Sequence, residues 1–489
     1  GMNRQGTIIL SVTDRGLRDR LSRMNAAIMG REGTDPFYGA PCVLAVLADR
    51  AVPTGIYDGS LVLGNMMNAA HAEGLGSCWR GGRLCRGRAS DCRICRRSRA
   101  GSQAAQGRTG VPRLTGDCMK VLLLSCSTGE GHNHCAQAVR DALEARGVRA
   151  ELSDMLHMFG GNNGPLSFDR VLNRISGSTP SVFGAMYHAG EVYSATGITS
   201  PVYLANTRYA EKLGAFLREG DYDAVVCSHL FPMEALTKLR KKDPPRAKCY
   251  GVLSDYTCIP FLAETDMDAY FLPHEEVRDA CMRAGMDAAR LQVTGMPVAK
   301  TFREAMTKAG AREALGLPQD RKIYLIMTGG IGCGDAVTLC DAIRLFPDER
   351  TLLCVLPGRN EELRALLLKT YPDGDVLTVP FTDRVAVYMR AADVLLSKAG
   401  GISSSEAAVC EVPLVHTMVI PGVEVQNAEF FAAHGMSCFA RQPAEAARFA
   451  DRLAFDAVSA ERMLGAQRRT VPKDGADRIA EIIIKGEKQ

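Results

Sequence analysis

The run Leu395-Leu396-Ser397-Lys398-Ala399-Gly400-Gly401-Ile402-Ser403-Ser404-Ser405-Glu406-Ala407 gathers the groups that a phosphate-bearing ligand needs. Gly400 and Gly401 let the backbone approach a ligand closely. Ser403 and Ser405, with the amides of a helix that begins there, can donate to phosphate oxygens. Glu406 falls in the first turn, where the dipole favours a carboxylate, and could take ribose hydroxyls. An ordinary βα turn with a capping serine explains the same residues if they stand alone. A second candidate is the loop Cys126-Ser127-Thr128-Gly129-Glu130-Gly131-His132, which carries a histidine between a strand-like and a helix-like run. A solvent-exposed histidine is the plainer reading of that position.

These groups need elements to hold them, and the chain supplies an alternation. Val121–Ser125, Ala224–Ser228, Cys249–Asp255 and Ala269–Leu272 are strand-length apolar runs, with helical stretches at Asn133–Ala145, Met233–Lys241 and Glu275–Ala284. After Gly295-Met296-Pro297 the pattern restarts with Ile323–Met327, Leu352–Leu356, Val376–Phe381, Ala392–Leu396 and Pro413–His416. Alternating β and α predicts parallel, doubly wound sheets. The Gly-, Ser-, Glu- and Asn-rich loops then fall at the carboxyl ends of strands, where such sheets bind ligands. Two such domains in series predict an α/β cleft enzyme of the GT-B type, with domains over 119–297 and 298–489. The last helix is expected to pack back on the first of them.

Composition bounds the rest. A chain of 489 residues, 46% hydrophobic, has room for about three domains. A net charge of +4 is too small to argue for a nucleic-acid partner. Seventeen scattered cysteines without a secretory signal suggest free thiols in a reducing, cytoplasmic setting. No apolar run reaches the ~18 residues of a spanning helix, so membrane contact is expected to be peripheral. The irregular stretch Leu152–Tyr209, with many aromatic and methionine residues and with Arg170, Arg174 and Arg208, reads as core wrapping or as a face that meets anionic lipid.

The first 118 residues differ. "DPFYGAPCVLAVLADR" and "YDGSLVLGNMMNAAHAEGLGSCW", with a helix expected over Asp58–Glu73, resemble the middle of a flavin-dependent nitroreductase. The flavin-phosphate motif and the closing basic segment of that family are missing. Residues 1–80 are therefore expected to be a truncated nitroreductase-like fragment that does not hold FMN. Arg80 to Cys118 contains ten Arg and no Lys. That composition resembles a high-GC stretch read in the wrong frame. It predicts a disordered linker over 81–118 and a gene-joining event at Met119. Its arginines would attract RNA or anionic lipid only non-specifically. Cys92 and Cys95 form a CxxC beside Cys85, but no second pair completes a zinc site.

From Met119 onward a second resemblance covers the chain. "SCSTGEGHNHCAQAV", "VLSDY", "VTGMPV", "MTGGIG", "PGRNEEL", "LLSKAGGISSSEA" and "PGVEVQNAEFF" resemble the monogalactosyldiacylglycerol synthase and processive diacylglycerol glucosyltransferase family. The resemblance implies an inverting, metal-independent transfer of hexose from a UDP-sugar to diacylglycerol on the cytoplasmic membrane face. It places His132 and the loop glycines Gly129 and Gly131 near the acceptor. His132 and Asp255 are then rival general bases. It sets Gly329, Gly330 and Gly332 against the sugar nucleotide, and Arg359 and Asn360 on the uracil side. Gly400, Gly401, Ser403 and Ser405 would hold the phosphates, Glu406 the ribose, and Glu424 and Asn427 the donor sugar. Two departures stand out: Tyr256-Thr257-Cys258-Ile259-Pro260-Phe261 lacks the family's histidine, and Pro421-Gly422-Val423-Glu424 replaces its Pro-Gly-Gln-Glu. A UDP-sugar epimerase of the same architecture, or a sugar-nucleotide-binding regulator, remains an alternative.

Overall fold

The computed structural model describes residues 7–12, 19, 22, 42–48, 75–80 and 89–96. It also describes 119 to 486, apart from 128–129, 160–179, 195, 197, 331, 333–334, 346–349 and 373. Gly129, Phe168, Arg170, Arg174, Cys85 and the expected helix over Asp58–Glu73 lie outside the described residues. The chain divides into two units, Gly1–Pro112 and Arg113–Gln489.

In the first unit, β1 (Thr7–Val12), β2 (Cys42–Ala48), β3 (Leu75–Arg80) and β4 (Ala89–Arg96) form an antiparallel sheet in the order β1-β2-β4-β3. Strand β4 lies inside the stretch 81–118 that its composition marks as a linker. The run ASDCRICR contains neither Gly nor Pro, so nothing in its backbone prevents it from pairing with β2 on one side and β3 on the other.

The second unit holds two parallel six-stranded sheets, each in its own lobe. The amino-terminal lobe has strands β5 (Lys120–Ser125), β6 (Arg149–Asp154), β7 (Ala224–Cys227), β8 (Lys248–Val252), β9 (Ala269–Leu272) and β10 (Leu291–Val293). They lie in the order β10-β9-β8-β7-β5-β6. The carboxyl-terminal lobe has β11 (Lys322–Met327), β12 (Thr351–Leu356), β13 (Val376–Thr378), β14 (Val394–Ser397), β15 (Leu414–His416) and β16 (Cys438–Phe439), ordered β13-β12-β11-β14-β15-β16. The α/β, doubly wound, GT-B-like expectation is met.

The central strands are continuous apolar runs because helices cover both faces of a parallel sheet. Val121, Leu122, Leu123 and Leu124 of β5 have no solvent exposure, and Leu325, Ile326, Leu395 and Leu396 are equally enclosed. Burying each such side chain stabilises the lobe by about 1.5–3 kcal/mol.

The helices that frame the cleft are α1 (Glu130–Glu144), α2 (Pro180–Ser194), α3 (Leu230–Lys242), α4 (Glu275–Arg283), α5 (Glu361–Thr370), α6 (Gly401–Cys410), α7 (Val423–Ala433) and α8 (Gly475–Gly486). Helix α8, the last, returns to the amino-terminal lobe. Its Asp477 takes Arg146 at 2.7 Å as well as Arg303 of the inter-lobe connection, and Lys248 donates to the Gly486 carbonyl. Among the described residues no helix is long and apolar enough to cross a membrane.

Candidate active site

The lobes meet where strand ends of both sheets converge, and the closest approach is backbone against backbone. Gly401, the first residue of α6, lies so near Ser254 that a Cβ there would sit 2.1 Å from the Ser254 carbonyl oxygen. Only glycine fits. Every residue of α6 except Ser403 is buried, so the helix is wedged between its own sheet and the other lobe.

On the amino-terminal side, α1 begins at Glu130, so His132 lies in its first turn and not in the preceding loop as the sequence suggested. An acidic residue suits a helix start, and Gly131 does not end the helix. Nδ1 of His132 lies 2.9 Å from the Ser228 carbonyl oxygen, which can only accept. Nδ1 therefore carries the proton and Nε2 keeps the lone pair. The same Nδ1 is 3.1 Å from Ser254 Oγ, which in turn donates to Asp255 Oδ2 at 3.1 Å. Burial lowers the His132 pKa below its ordinary value, outweighing the Asp255 charge and the Ser228 carbonyl, which raise it. The ring of His229 packs edge-on against His132, with centroids 4.5 Å apart, and burial lowers its pKa strongly. His132, Ser254 and Asp255 line a pocket whose other walls include Leu230, Met233, Ile259 and Leu262.

Asp255 is held from the opposite lobe. Asn427 of α7 donates to Asp255 Oδ1 at 2.8 Å and to the Ala399 carbonyl at 3.0 Å, and accepts the Tyr256 amide at 2.8 Å. Both polar atoms of the Asn427 amide are thus bonded to protein groups. Tyr256 OH pairs with Ser405 Oγ at 2.8 Å, and Ser405 also donates to the Gly401 carbonyl. Ser403 Oγ donates to the Gly400 carbonyl at 3.2 Å.

On the carboxyl-terminal side, Lys398 and Glu424 form an ion pair at 2.5 Å, and the second Glu424 oxygen accepts the Ile420 amide at 3.0 Å. Lys398 was visible in the Gly-Gly run but received no role from its sequence. Gly329 and Gly332 take left-handed φ values of +79° and +73°, and a Cβ at Gly329 would strike the Lys398 side chain. Gly330 packs against Glu130 of α1. Asn360 caps α5 by accepting the Leu363 amide and also donates to the Gly332 carbonyl at 2.9 Å. Arg359 reaches across to Glu130 at 3.2 Å while its guanidinium lies 4.0 Å from the Phe381 ring centroid. Glu406 is buried, its carboxyl 3.9 Å from His134 Nδ1, and burial pushes its pKa up to about 8.

The structure thus collects His132, Asp255, Gly330, Gly401, Ser405 and Asn427 along one inter-lobe seam. Ser254, Tyr256, Lys398, Glu130 and His134 complete it. Nothing in local sequence distinguishes Ser254 or Tyr256 beyond their place beside Asp255.

Residues 132–298 match the protein family described as monogalactosyldiacylglycerol (MGDG) synthase. The chain is 26% identical to a processive diacylglycerol β-glucosyltransferase of Bacillus cytotoxicus, over 67% of this chain and 83% of that protein. It is 24% identical to the corresponding Bacillus thuringiensis protein, over 75% of this chain and 93% of the other. Among solved structures it resembles Acinetobacter baumannii MurG (TM-score 0.50, 15% identity, 75% of this chain and 99% of that one). It also resembles S. aureus MnaA in its UDP co-structure (TM-score 0.50, 12% identity, 76% and 97%). These two likenesses establish the fold alone. Nothing in the comparisons supports the nitroreductase-like reading of residues 1–80.

Proposed function

We propose, from the relation of residues from about 120 to 489 to the monogalactosyldiacylglycerol synthase and processive diacylglycerol glucosyltransferase family, that this chain transfers a hexose from a UDP-sugar to diacylglycerol, with inversion and without a catalytic metal. The observation that carries the reading is the Ser228–His132–Ser254–Asp255 arrangement beside a largely apolar pocket.

In this reading the acceptor hydroxyl attacks the anomeric carbon as the bond to UDP breaks, and Nε2 of His132 takes the hydroxyl proton. Asp255 is a positioning residue: both of its oxygens already accept hydrogen bonds, and it acts on His132 through Ser254. The amino-terminal amides of α6, with Ser403, face the charge that develops on the leaving diphosphate. Glu406 takes the ribose hydroxyls, Arg359 flanks the base, and the Lys398–Glu424 pair borders the donor sugar. Leu230 and Ile259, both partly exposed, would border the acceptor glycerol. Val192, Ile198 and Leu204, each more than half exposed near α2, suit contact with a lipid surface.

The test is turnover on diacylglycerol micelles with UDP-galactose, UDP-glucose and UDP-N-acetylglucosamine in turn, with and without EDTA. Lipid-linked sugar that persists in EDTA and vanishes in His132→Ala supports the proposal and names the donor. Sugar interconversion without lipid product would replace it with an epimerase, and UDP binding without turnover with a regulator.

A further inference from the structure

Away from the His132 seam, the lobes meet a second time. His274 is the N-cap of α4, Glu276 lies in that helix's first turn, and His434 ends α7 of the opposite lobe. Each offers one ligand atom, and these atoms all lie within 4.8 Å of one another. Among the described residues this is the one such group.

The hydrogen bonds of His434 define its tautomer. Nδ1 lies 2.8 Å from the Phe430 carbonyl, which can only accept, so Nδ1 carries the proton and Nε2 presents its lone pair. That Nε2 is 2.9 Å from Glu276 Oε1. Two lone-pair atoms at that distance repel unless a positive charge is shared between them, either a proton on Nε2 or a metal ion. His274 completes the geometry, its ring centroid 5.2 Å from that of His434. The Phe430 ring walls the group, 4.2 Å from His434 and 5.0 Å from His274. Ligation by His274 would give up its 3.3 Å bond from the Glu276 amide, while the Val277 amide still bonds the His274 carbonyl.

We infer that His274, Glu276 and His434 form a site for one borderline divalent cation of the zinc class, which ties the two lobes together at α4 and α7. Two imidazoles and a carboxylate are a common donor set for such ions and leave a position for water. The site shares no residue with the nucleotide seam, so it stands whether or not the chain transfers sugar.

The experiment titrates the full chain with Co²⁺, whose spectrum identifies its donors. Seventeen cysteines could otherwise confuse a zinc measurement. The expected result is one Co²⁺ per chain with ligand-field bands in the visible and no thiolate-to-cobalt charge transfer. Zn²⁺ should displace it, and bound metal should protect α4 and α7 from hydrogen exchange. His434→Ala and Glu276→Gln should each weaken binding by at least about tenfold. His188→Ala, which removes a histidine–glutamate pair within α2, should leave it unchanged. Thiolate charge transfer, or equal binding by the His434 and Glu276 variants and the parent chain, would overturn the inference and leave His434 and Glu276 as an ordinary ion pair.

Discussion

Asn427 in the carboxyl-terminal lobe and Asp255 in the amino-terminal lobe are joined by a 2.8 Å hydrogen bond, and the Asn427 carbonyl accepts the neighbouring Tyr256 amide. The bond crosses the seam between two separately wound sheets, so it reports whether the lobes are seated. Asn427→Ala leaves a buried amide and a carboxylate oxygen without this partner, and should cost about 1–3 kcal/mol. Asn427→Asp sets two carboxylates face to face and should cost more. The pair Asp255→Asn with Asn427→Asp restores a donor and an acceptor, and should recover part of the loss in a denaturant double-mutant cycle. No coupling between the two positions would mean the bond contributes nothing to seating.

Gly401→Ala probes the same seam through shape. The added Cβ meets the Ser254 carbonyl, and backbone on both sides cannot rotate away. The lobes should each fold yet sit apart, with turnover reduced by roughly 10²-fold, the usual cost of a misplacement near 1 Å. Scattering in solution should show a larger radius of gyration. Unchanged scattering and activity would show that the lobes do not close this far in solution.

The core strands were legible because a parallel strand buried on both faces is an uninterrupted apolar run, as at Val121–Leu124 and Leu395–Leu396. The Gly400-Gly401 turn was legible for a similar reason, since its residue types are restricted by close approach. What connects them was not. Asn427 and Asp255 are 172 positions apart, and His434 and Glu276 are 158 apart. No local period encodes such pairs. His132 was read in a loop because two nearby glycines hide the helix start at Glu130. Strand β6 was missed because its edge position leaves it polar, as RAELSD, and β10 because three residues, LQV, are too short to show a pattern. Strand β4 was missed because its arginines overshadowed a backbone free to pair.

Glu406 should make UDP binding depend on pH. Burial raises its pKa to about 8, so the unliganded carboxyl is protonated at neutrality. Ribose hydroxyls that donate to it favour the ionised form and lower that pKa. Binding near pH 7 should therefore release a fraction of a proton, and affinity should rise from pH 6 toward about 8. Calorimetry in buffers of different ionisation enthalpy measures the release. Glu406→Gln should abolish it, and a release that persists in that variant would place the proton elsewhere.

Glu234 of α3 offers a stability counterpart. It is fully enclosed in α3, and Asn206 donates to its Oε2 at 2.6 Å. Burial raises its pKa from 4.5 to about 8, with Asn206 opposing and Glu264 adding. The folded state therefore holds this proton after the unfolded chain has lost it. Stability should be greatest below about 4.5 on this account and fall as pH rises toward 8, by ~3 kcal/mol at pH 7. Glu234→Gln keeps a neutral group of the same shape, with an acceptor for Asn206, and should remove that fall. Denaturant midpoints at pH 5 and pH 7.5 decide it: equal pH slopes in both proteins would show that Glu234 does not titrate this way.

The pH dependence of turnover separates the two candidate bases, His132 and Asp255. A general base must be unprotonated, and burial holds the His132 pKa below 6.5. In a lipid-transfer assay at saturating UDP-sugar, kcat/KM for diacylglycerol should be flat through neutrality and fall only below pH 6.5. The temperature dependence of that limb should show the large ionisation enthalpy of an imidazole instead of the small one of a carboxylate. Asp255→Asn removes a charge that raises the His132 pKa, so the limb should move to lower pH while the rate drops roughly 10²-fold from lost orientation. Ser254→Ala cuts the link between the two groups and should lower the rate, with a smaller shift of the limb because the Asp255 charge stays in place. If His132→Ala retained most of the activity and Asp255→Asn none, with a carboxylate-like limb, Asp255 would be the base and His132 a structural neighbour.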